Sequence, residues 1–433
     1  MPGYNAAPVS QGSPFADRLN ADHFDGRLSE PALSALRALE GHPAQARAFA
    51  DRACRLMRQA NLGAENFTDV LGWVLGTLVP RLLPGAWGGI IPPISASGRH
   101  VLINEYLQAN SWRPGLPGTR ALDVGCGFPP ATSVEFAERF PDWTITAADP
   151  AIPAAIVYDE RGDYASFDAH GTPLYFQAGV FDIGRWDGLL SDPEATRQRF
   201  VALREALAAR PDSHPGARLV TDPMAAYRRP NLSFLSGGLD AARGRTFDVI
   251  RCFNVLIYYD RAYRERFVET AGSLLSPGGV LVCGANWVRT SEAKYGVYRL
   301  EDGRMVQKEF AFGVDNIRPL GIIPWYVLHE DEPDTCRLVE ILRVLRSDAE
   351  FCAAFDAAYD SALIERNLYC RTQDGYLKSS GIVVPPGELE RLVVELHDQL
   401  LNDGWVERAV RVLRDNGFVA WRNCVGHVAV ATS

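Results

Sequence analysis

Long uninterrupted apolar runs are scarce in these 433 residues. The richest, Leu71 to Ile94, is broken by Pro80, Arg81 and Pro84, which excludes a transmembrane span and any membrane partner of that kind. The start, MPGYNAAPVSQGSPFADRL, lacks a basic segment followed by an apolar one, so no signal peptide is expected, and its Pro, Gly, Ser and Asn content reads as a frayed lead-in. Cysteine is sparse: the residues at 54, 126, 252, 283, 336, 352, 370 and 424 form no C-x-x-C pair and no Cys/His cluster. No metal site is expected, and the spacing suits reduced thiols, hence a cytosolic (cytoplasmic) compartment. Positive charge is also short, with 44 Lys+Arg against 53 Asp+Glu and a net charge of -9. Without a basic stripe to attract phosphates, no nucleic-acid partner is expected. A Gly-x-x-x-x-Gly-Lys-Ser/Thr sequence is missing too, which argues against a nucleoside triphosphatase.

The remainder is ordinary for a globular chain, 47% apolar and 22% charged, and longer than one compact core needs, so two or three lobes are expected. From about Glu30 to Asn110 the texture is helical. Leu33, Leu36 and Leu39, then Ala50, Ala53, Leu56 and Met57, recur at helical spacing, followed by runs at Val70 to Leu83 and Arg99 to Ala109. Residues 114–120 read as a linker. From Ala121 the pattern becomes strand, glycine turn, helix Ala131 to Phe140, and strand Trp143 to Ala148 ending at Asp149. After a long interruption come strands Leu232 to Leu235 and Phe247 to Phe253, helix Asp260 to Leu275, a Pro277-Gly278-Gly279 turn and strand Val280 to Gly284. Such alternation predicts a parallel, doubly wound sheet. The pattern lapses from Trp287 to about Asp403 and returns as helix Val406 to Asn416 with a terminal hairpin.

The chemistry is concentrated in Leu122-Asp-Val-Gly125-Cys-Gly127-Phe-Pro-Pro130. Two glycines directly after a strand allow a sharp turn and a close approach of ligand to backbone. Asp149 closes the next strand at about the spacing where an acidic residue meets a ribose hydroxyl pair. Pro130 occupies the third-glycine position of the dinucleotide fingerprint, which spoils a nicotinamide reading. An adenosine-type ligand on a Rossmann-like sheet follows.

LDVGCG, then AADP at Ala147 to Pro150, FDVI at Phe247 to Ile250 and LLSPGGVLVCG at Leu274 to Gly284 resemble the ordered signature of class I S-adenosylmethionine (SAM)-dependent methyltransferases. Within that family, RCFNVLIYYD at Arg251 to Asp260 is most similar to the core of chemotaxis-receptor methyltransferases. The resemblance implies an α/β fold: a Rossmann-like, seven-stranded SAM-methyltransferase core with an N-terminal helical cap and a mixed α/β insertion. The segments expected are a cap (1–115), a core (116–286, with a long insertion at 151–230), a lid (287–405) and a final helix and hairpin completing the core sheet (406–433).

The same resemblance implies S-adenosyl-L-methionine as cofactor. Gly125 and Gly127 would line its methionine and ribose, Asp149 would hold both ribose hydroxyls, and Asp240 or backbone near Leu239 would flank adenine. Asn254 would face the cofactor and Tyr258 would sit near the transferring methyl. Asp123 joins the cofactor-binding candidates, although a role in tying the loop is the favoured one. Phe128 and Gly238 depart from the chemotaxis group and point away from a glutamate side chain as acceptor. His170, in the insertion, is a candidate base or a solvent-facing loop histidine. Asn254 and Tyr258 stand evenly between site and core, and Trp325-Tyr326 and Asn367 to Gln373 between acceptor pocket and packing. The expected function is methyl transfer to a small or medium-sized metabolite. A cyclase that releases methylthioadenosine and a non-catalytic SAM-binding regulator are the alternatives. Oligomeric state is not legible.

Overall fold

Ala121, Leu122, Asp123 and Val124 are buried in succession, the mark of a strand covered on both faces, and in the computed structural model they lie in β1 (Arg120–Val124). The structure describes residues 14–81, 95–109, 118–179, 183–329, 332–382 and 386–432, and absences below refer to these. Most of the 114–120 linker and the end of the Val70 to Leu83 run lie outside them. Contacts divide the chain into two units.

One unit comprises Arg81–Ser97 and Gly115–Arg251. Its β2 (Thr144–Asp149) runs parallel to β1, with Val124 opposite Ala148. The insertion supplies β3 (Ala155–Tyr158), β4 (Tyr164–Phe167), β5 (Pro173–Gln177) and β6 (Arg218–Thr221), a separate antiparallel sheet in the order β5-β4-β3-β6. Helices Ile183–Leu190 and Pro193–Ala209 bury Trp186 and Phe200 against one face of that sheet. Next, β7 (Leu232–Ser236) runs parallel to β2, and β8 (Phe247–Phe253) belongs to this unit as far as Arg251. The order β8-β1-β2-β7 with parallel pairs realises the expected doubly wound half-sheet.

The other unit comprises Met1–Pro80, Gly98–Pro114 and Cys252–Ser433. Cap, lid and closing hairpin therefore fall together here, apart from residues near 81–97 and 115. The lead-in corrects one expectation: from Pro14 to Phe24 it is a helix that buries Phe15, Ala16, Leu19 and Phe24. Helix Ala44–Gln59 buries Ala50, Ala53, Leu56 and Met57, the stripe predicted by spacing, and adds Ala46 and Phe49 to it. Asp260 caps helix Arg261–Leu274 by accepting from Tyr263 N–H at 2.7 Å. Pro277-Gly278-Gly279 does not delay the next strand, because β9 already begins at Leu275 and runs to Ala285.

A second correction concerns how the sheet ends. Antiparallel to β9 lies β10 (Lys294–Glu301), then β11 (Arg304–Phe312). The short hairpin β12 (Tyr369–Arg371) and β13 (Leu377–Ser379) stands apart. The terminal strands β14 (Ala420–Arg422) and β15 (Val428–Ala431) follow helix Trp405–Asp415, and β15 pairs with β11. With four strands ordered in one unit and five in the other, nine replace the seven expected, and β10 takes the place beside β9. A buried network holds the hairpin there. Tyr106 donates to Glu309 at 2.8 Å, and Asn423 donates to Glu309 at 3.1 Å and to Tyr295 at 2.9 Å.

Candidate functional site

The chain leaves β1 through Gly125 and Gly127, with φ of +82° and +65°, in the left-handed region that glycine enters without steric cost. Gly125 N–H donates to Ala148 O at 2.8 Å, which ties the turn to the end of β2. Gly127 N–H donates to Asp149 Oδ2 at 3.0 Å, and Ala151 N–H donates to Oδ1 at 2.7 Å. Gly237 N–H, at the end of β7, donates to Asp149 O at 3.1 Å. Asp149 is thus a buried carboxylate held by backbone at the meeting of three strand ends. Burial pushes its pKa above the ordinary value of 3.8, the two backbone donors oppose this, and Asp123 adds to it.

Asp123 is taken up below the turn. Arg251, fully buried, grips it bidentately, Nε to Oδ1 at 2.9 Å and Nη2 to Oδ2 at 2.6 Å, and Ser133 donates to Oδ2 at 2.6 Å. Arg251 also donates to Thr132 O at 3.1 Å and lies 4.1 Å over the Phe136 ring. This arrangement fastens β1, β8 and helix Ala131–Arg139 together beneath the glycine turn. The sequence signal for Arg251 was available: it is the one charged residue among the consecutive buried residues that end FDVIRCF.

Leu239 is buried in the short turn Leu239–Ala242 that follows β7, whereas Asp240 is exposed and paired with Arg243 at 2.7 Å. His170 is exposed in the β4–β5 turn, where its backbone N–H donates to Asp168 at 2.8 Å. In the other unit, Asn254 has φ +59° and exchanges two hydrogen bonds with Asn286, at 2.9 and 3.2 Å. Tyr258 stands in the turn Leu256–Tyr258 with its ring edge-on to Tyr326, centroids 5.8 Å apart. Burial pushes its hydroxyl up to about 12, against the pull of Arg99. The structure therefore assembles Gly125, Gly127 and Asp149 around one point, places Leu239 on a turn tied to it, and turns Asp240 and His170 outward.

Within this arrangement, a carboxylate held by backbone N–H groups can take a ligand that carries adjacent hydroxyl donors. Among the described residues no group of three or more His, Cys, Asp and Glu side chains could hold a metal ion. No helix among them is long and apolar enough to cross a membrane.

No protein-family profile and no curated protein matches the chain. Solved structures do align with parts of it. The SAM-bound magnesium protoporphyrin IX methyltransferase from Synechocystis PCC 6803 is 15% identical over 44% of this chain and 58% of that one, with a TM-score of 0.22. An N-methyltransferase from Bradyrhizobium japonicum WM9 with bound S-adenosyl-L-homocysteine is 14% identical over 42% and 57%, at 0.19. A SAM-bound amino pentose methyltransferase from Micromonospora echinaspora is 18% identical over 52% and 75%, at 0.22. The match spans less than two thirds of the first two chains. Superpositions this loose carry no argument about function, so the site's own chemistry must.

Proposed function

We propose that the protein binds S-adenosyl-L-methionine and transfers its methyl group to a small or medium-sized metabolite. The Asp149 carboxylate carries this reading. Each of its oxygens has one backbone donor and lone-pair capacity for another, which suits two vicinal ribose hydroxyls through charge-assisted bonds. Gly125 and Gly127, in left-handed conformations that favour glycine, line the methionine and ribose portion, and backbone at Leu239 flanks adenine. The exposed pairing with Arg243 favours that backbone over the Asp240 carboxylate. Asp123 serves as a positioning residue that fixes the turn through Arg251 and Ser133. When bound, the cofactor would supply a sulfonium methyl that an acceptor lone pair attacks in line, the C–S electron pair passing to sulfur to leave S-adenosyl-L-homocysteine and any acceptor proton passing to solvent. At neutral pH Tyr258 is a neutral hydroxyl donor and no base, since burial holds its proton to about 12.

Isothermal titration tests the cofactor assignment. SAM and S-adenosyl-L-homocysteine should bind, and Asp149→Ala should weaken both by about 1–3 kcal/mol through loss of charge-assisted bonds. Affinity should also fall as pH is lowered through the raised Asp149 pKa, because ribose hydroxyls need the ionised acceptor. No binding by the wild type would refute the reading, and unchanged affinity in Asp149→Ala would refute the ribose assignment. Incubation with SAM alone separates the chemistries: methylthioadenosine would identify the cyclase, and binding without turnover on any acceptor pool would identify a regulator.

A further inference from the structure

The second sheet, β3 to β6, has two unlike faces. On one, Val157, Ala165 and Phe176 lie in register and pack apolar side against the helices through Trp186 and Phe200. On the other, Ile156, Ser166 and Tyr175 form one row across the strands, and Tyr158, Tyr164 and Gln177 form the next. Packing alone does not call for this chemistry, as the first face demonstrates. Ser166 Oγ, Tyr175 Oη and Gln177 Oε1 are buried and make no well-formed hydrogen bond among the described residues, although the Gln177 amide lies beside the Tyr164 hydroxyl. Ser166 and Tyr175 are 0% and 1% exposed. Ser166 sits beside the Tyr175 hydroxyl, yet neither atom meets hydrogen-bond geometry. Three buried polar atoms with poorly formed hydrogen bonds on two neighbouring strands of one sheet face are costly, and a bound polar molecule would satisfy them.

This face adjoins the glycine turn. Tyr175 and Ile156 pack with Phe128, the residue after Gly127, and with Met224. Half-buried rings border it. Tyr158 and Tyr164 lie 5.2 Å apart at 41°, and Tyr227 meets Phe128 edge-on at 5.9 Å. Burial above all, with the charge of Asp149 among its neighbours, keeps the Tyr175 phenol protonated. The face therefore offers neutral donors and acceptors between aromatic walls, with a carboxylate close by to repel anions. Its one cation, Arg218, is exposed and already stacked 3.9 Å over Tyr158, its partner across the strands.

We propose that this hydroxyl-lined aromatic face is the acceptor subsite, and that it takes an uncharged flat ring with hydrogen-bonding substituents. Its assignment to the acceptor rests on the methyltransfer reading: an acceptor beside a sulfonium must keep a free lone pair, which excludes a protonated amine. Binding of such a ring does not rest on that reading.

The test uses the whole protein with catechol, benzoate and S-adenosyl-L-homocysteine as probes. Ligand-observed NMR should show saturable catechol binding and none of benzoate at equal concentration. Tyr175→Phe and Ser166→Ala should each weaken catechol about fivefold, the equivalent of one net hydrogen bond. S-adenosyl-L-homocysteine affinity should stay within about twofold, and the thermal midpoint should hold or rise because an orphaned hydroxyl is gone. Catechol binding that is absent, unchanged in both variants, or matched by benzoate overturns the proposal. Loss of S-adenosyl-L-homocysteine in the same variants assigns the face to the cofactor and overturns it too. If catechol binds as expected while the wild type binds neither SAM nor S-adenosyl-L-homocysteine, the ring-binding face stands and the cofactor reading fails.

Discussion

At the scale of single residues, environment separates groups of the same type. Asp149 and Asp123 are both buried carboxylates 26 positions apart in sequence order along neighbouring strands. Asp123 is neutralised by the Arg251 guanidinium and also held by Ser133, whereas Asp149 meets only backbone N–H groups and retains its charge and capacity for a ligand. The Arg251–Asp123 pair is a positioning device, since removing one partner of such a buried pair strands the other charge. Tyr258 and His170 divide in a similar way: the tyrosine is half-buried and edge-on to Tyr326, and the histidine is exposed in a turn. Tyr258→Phe should therefore lower kcat well below the wild-type value while the SAM dissociation constant stays within about twofold. Equal turnover in the two proteins would make Tyr258 a packing residue, and a pH–rate profile with a wild-type limb that disappears in Tyr258→Phe would show it acting as a base after all.

At the scale of elements, close approach decides more than propensity does. Helix Glu30–Leu36 packs on the segment that begins as helix Asp69–Trp73 and widens into a π-turn at Val74–Leu78. Gly76 lies directly against Ala35 O, and Gly72 faces Ala32 O, so a Cβ at either would collide with backbone. Alanine gains about 1 kcal/mol of helix propensity over glycine, but overpacking costs about 1–3 kcal/mol. The collision at Gly76 is with a carbonyl that cannot swing aside, so Gly76→Ala should lower the denaturation midpoint. A raised midpoint would mean that the two helices can separate without cost. The terminal hairpin teaches the same lesson: its strands were legible from composition, but not its place beside β11, which long-range contacts from Asn423 to Glu309 and Tyr295 select.

At the scale of the whole molecule, the unit built from the chain's ends stores buried ionisable groups whose sum shapes its pH response. Lys294 pairs with Glu332 at 2.5 Å, and Arg264 bridges Glu332 and Asp334 at 2.6 and 3.2 Å. Glu292 has no such cation. Its Oε1 accepts from Gly321 N–H, and burial, with Asp315 nearby, raises its pKa from 4.5 to about 8 against the pull of the Gly321, Leu320 and Ile323 backbone N–H groups. Between those values the folded chain holds a proton that the unfolded chain has released, so stability falls as pH rises across that window. Glu292→Gln removes this dependence. The variant's thermal midpoint relative to wild type should climb from pH 4.5 to about 8 and level off above it. A constant difference across the window would show that the carboxyl is not held neutral.

The sequence by itself determined the local grammar of the site. Apolar runs buried on both faces make parallel strands, only glycine enters the turn at 125 and 127 freely, and an aspartate at the end of the second strand faces that turn. The strands and the turn follow from neighbours a few positions apart and the aspartate from the regular span of one strand–helix–strand repeat, which is why Gly125, Gly127 and Asp149 were readable and come together. Only tertiary structure decided the rest: that Arg251 takes Asp123, that residues 155–221 form a sheet with one apolar and one hydroxyl-bearing face, and that β10 precedes the terminal hairpin beside β9. Those outcomes depend on partners far apart in the chain. Alternation along one strand shows that it has two faces, but not which of them will be packed by a helix and which will be left with hydroxyls to satisfy.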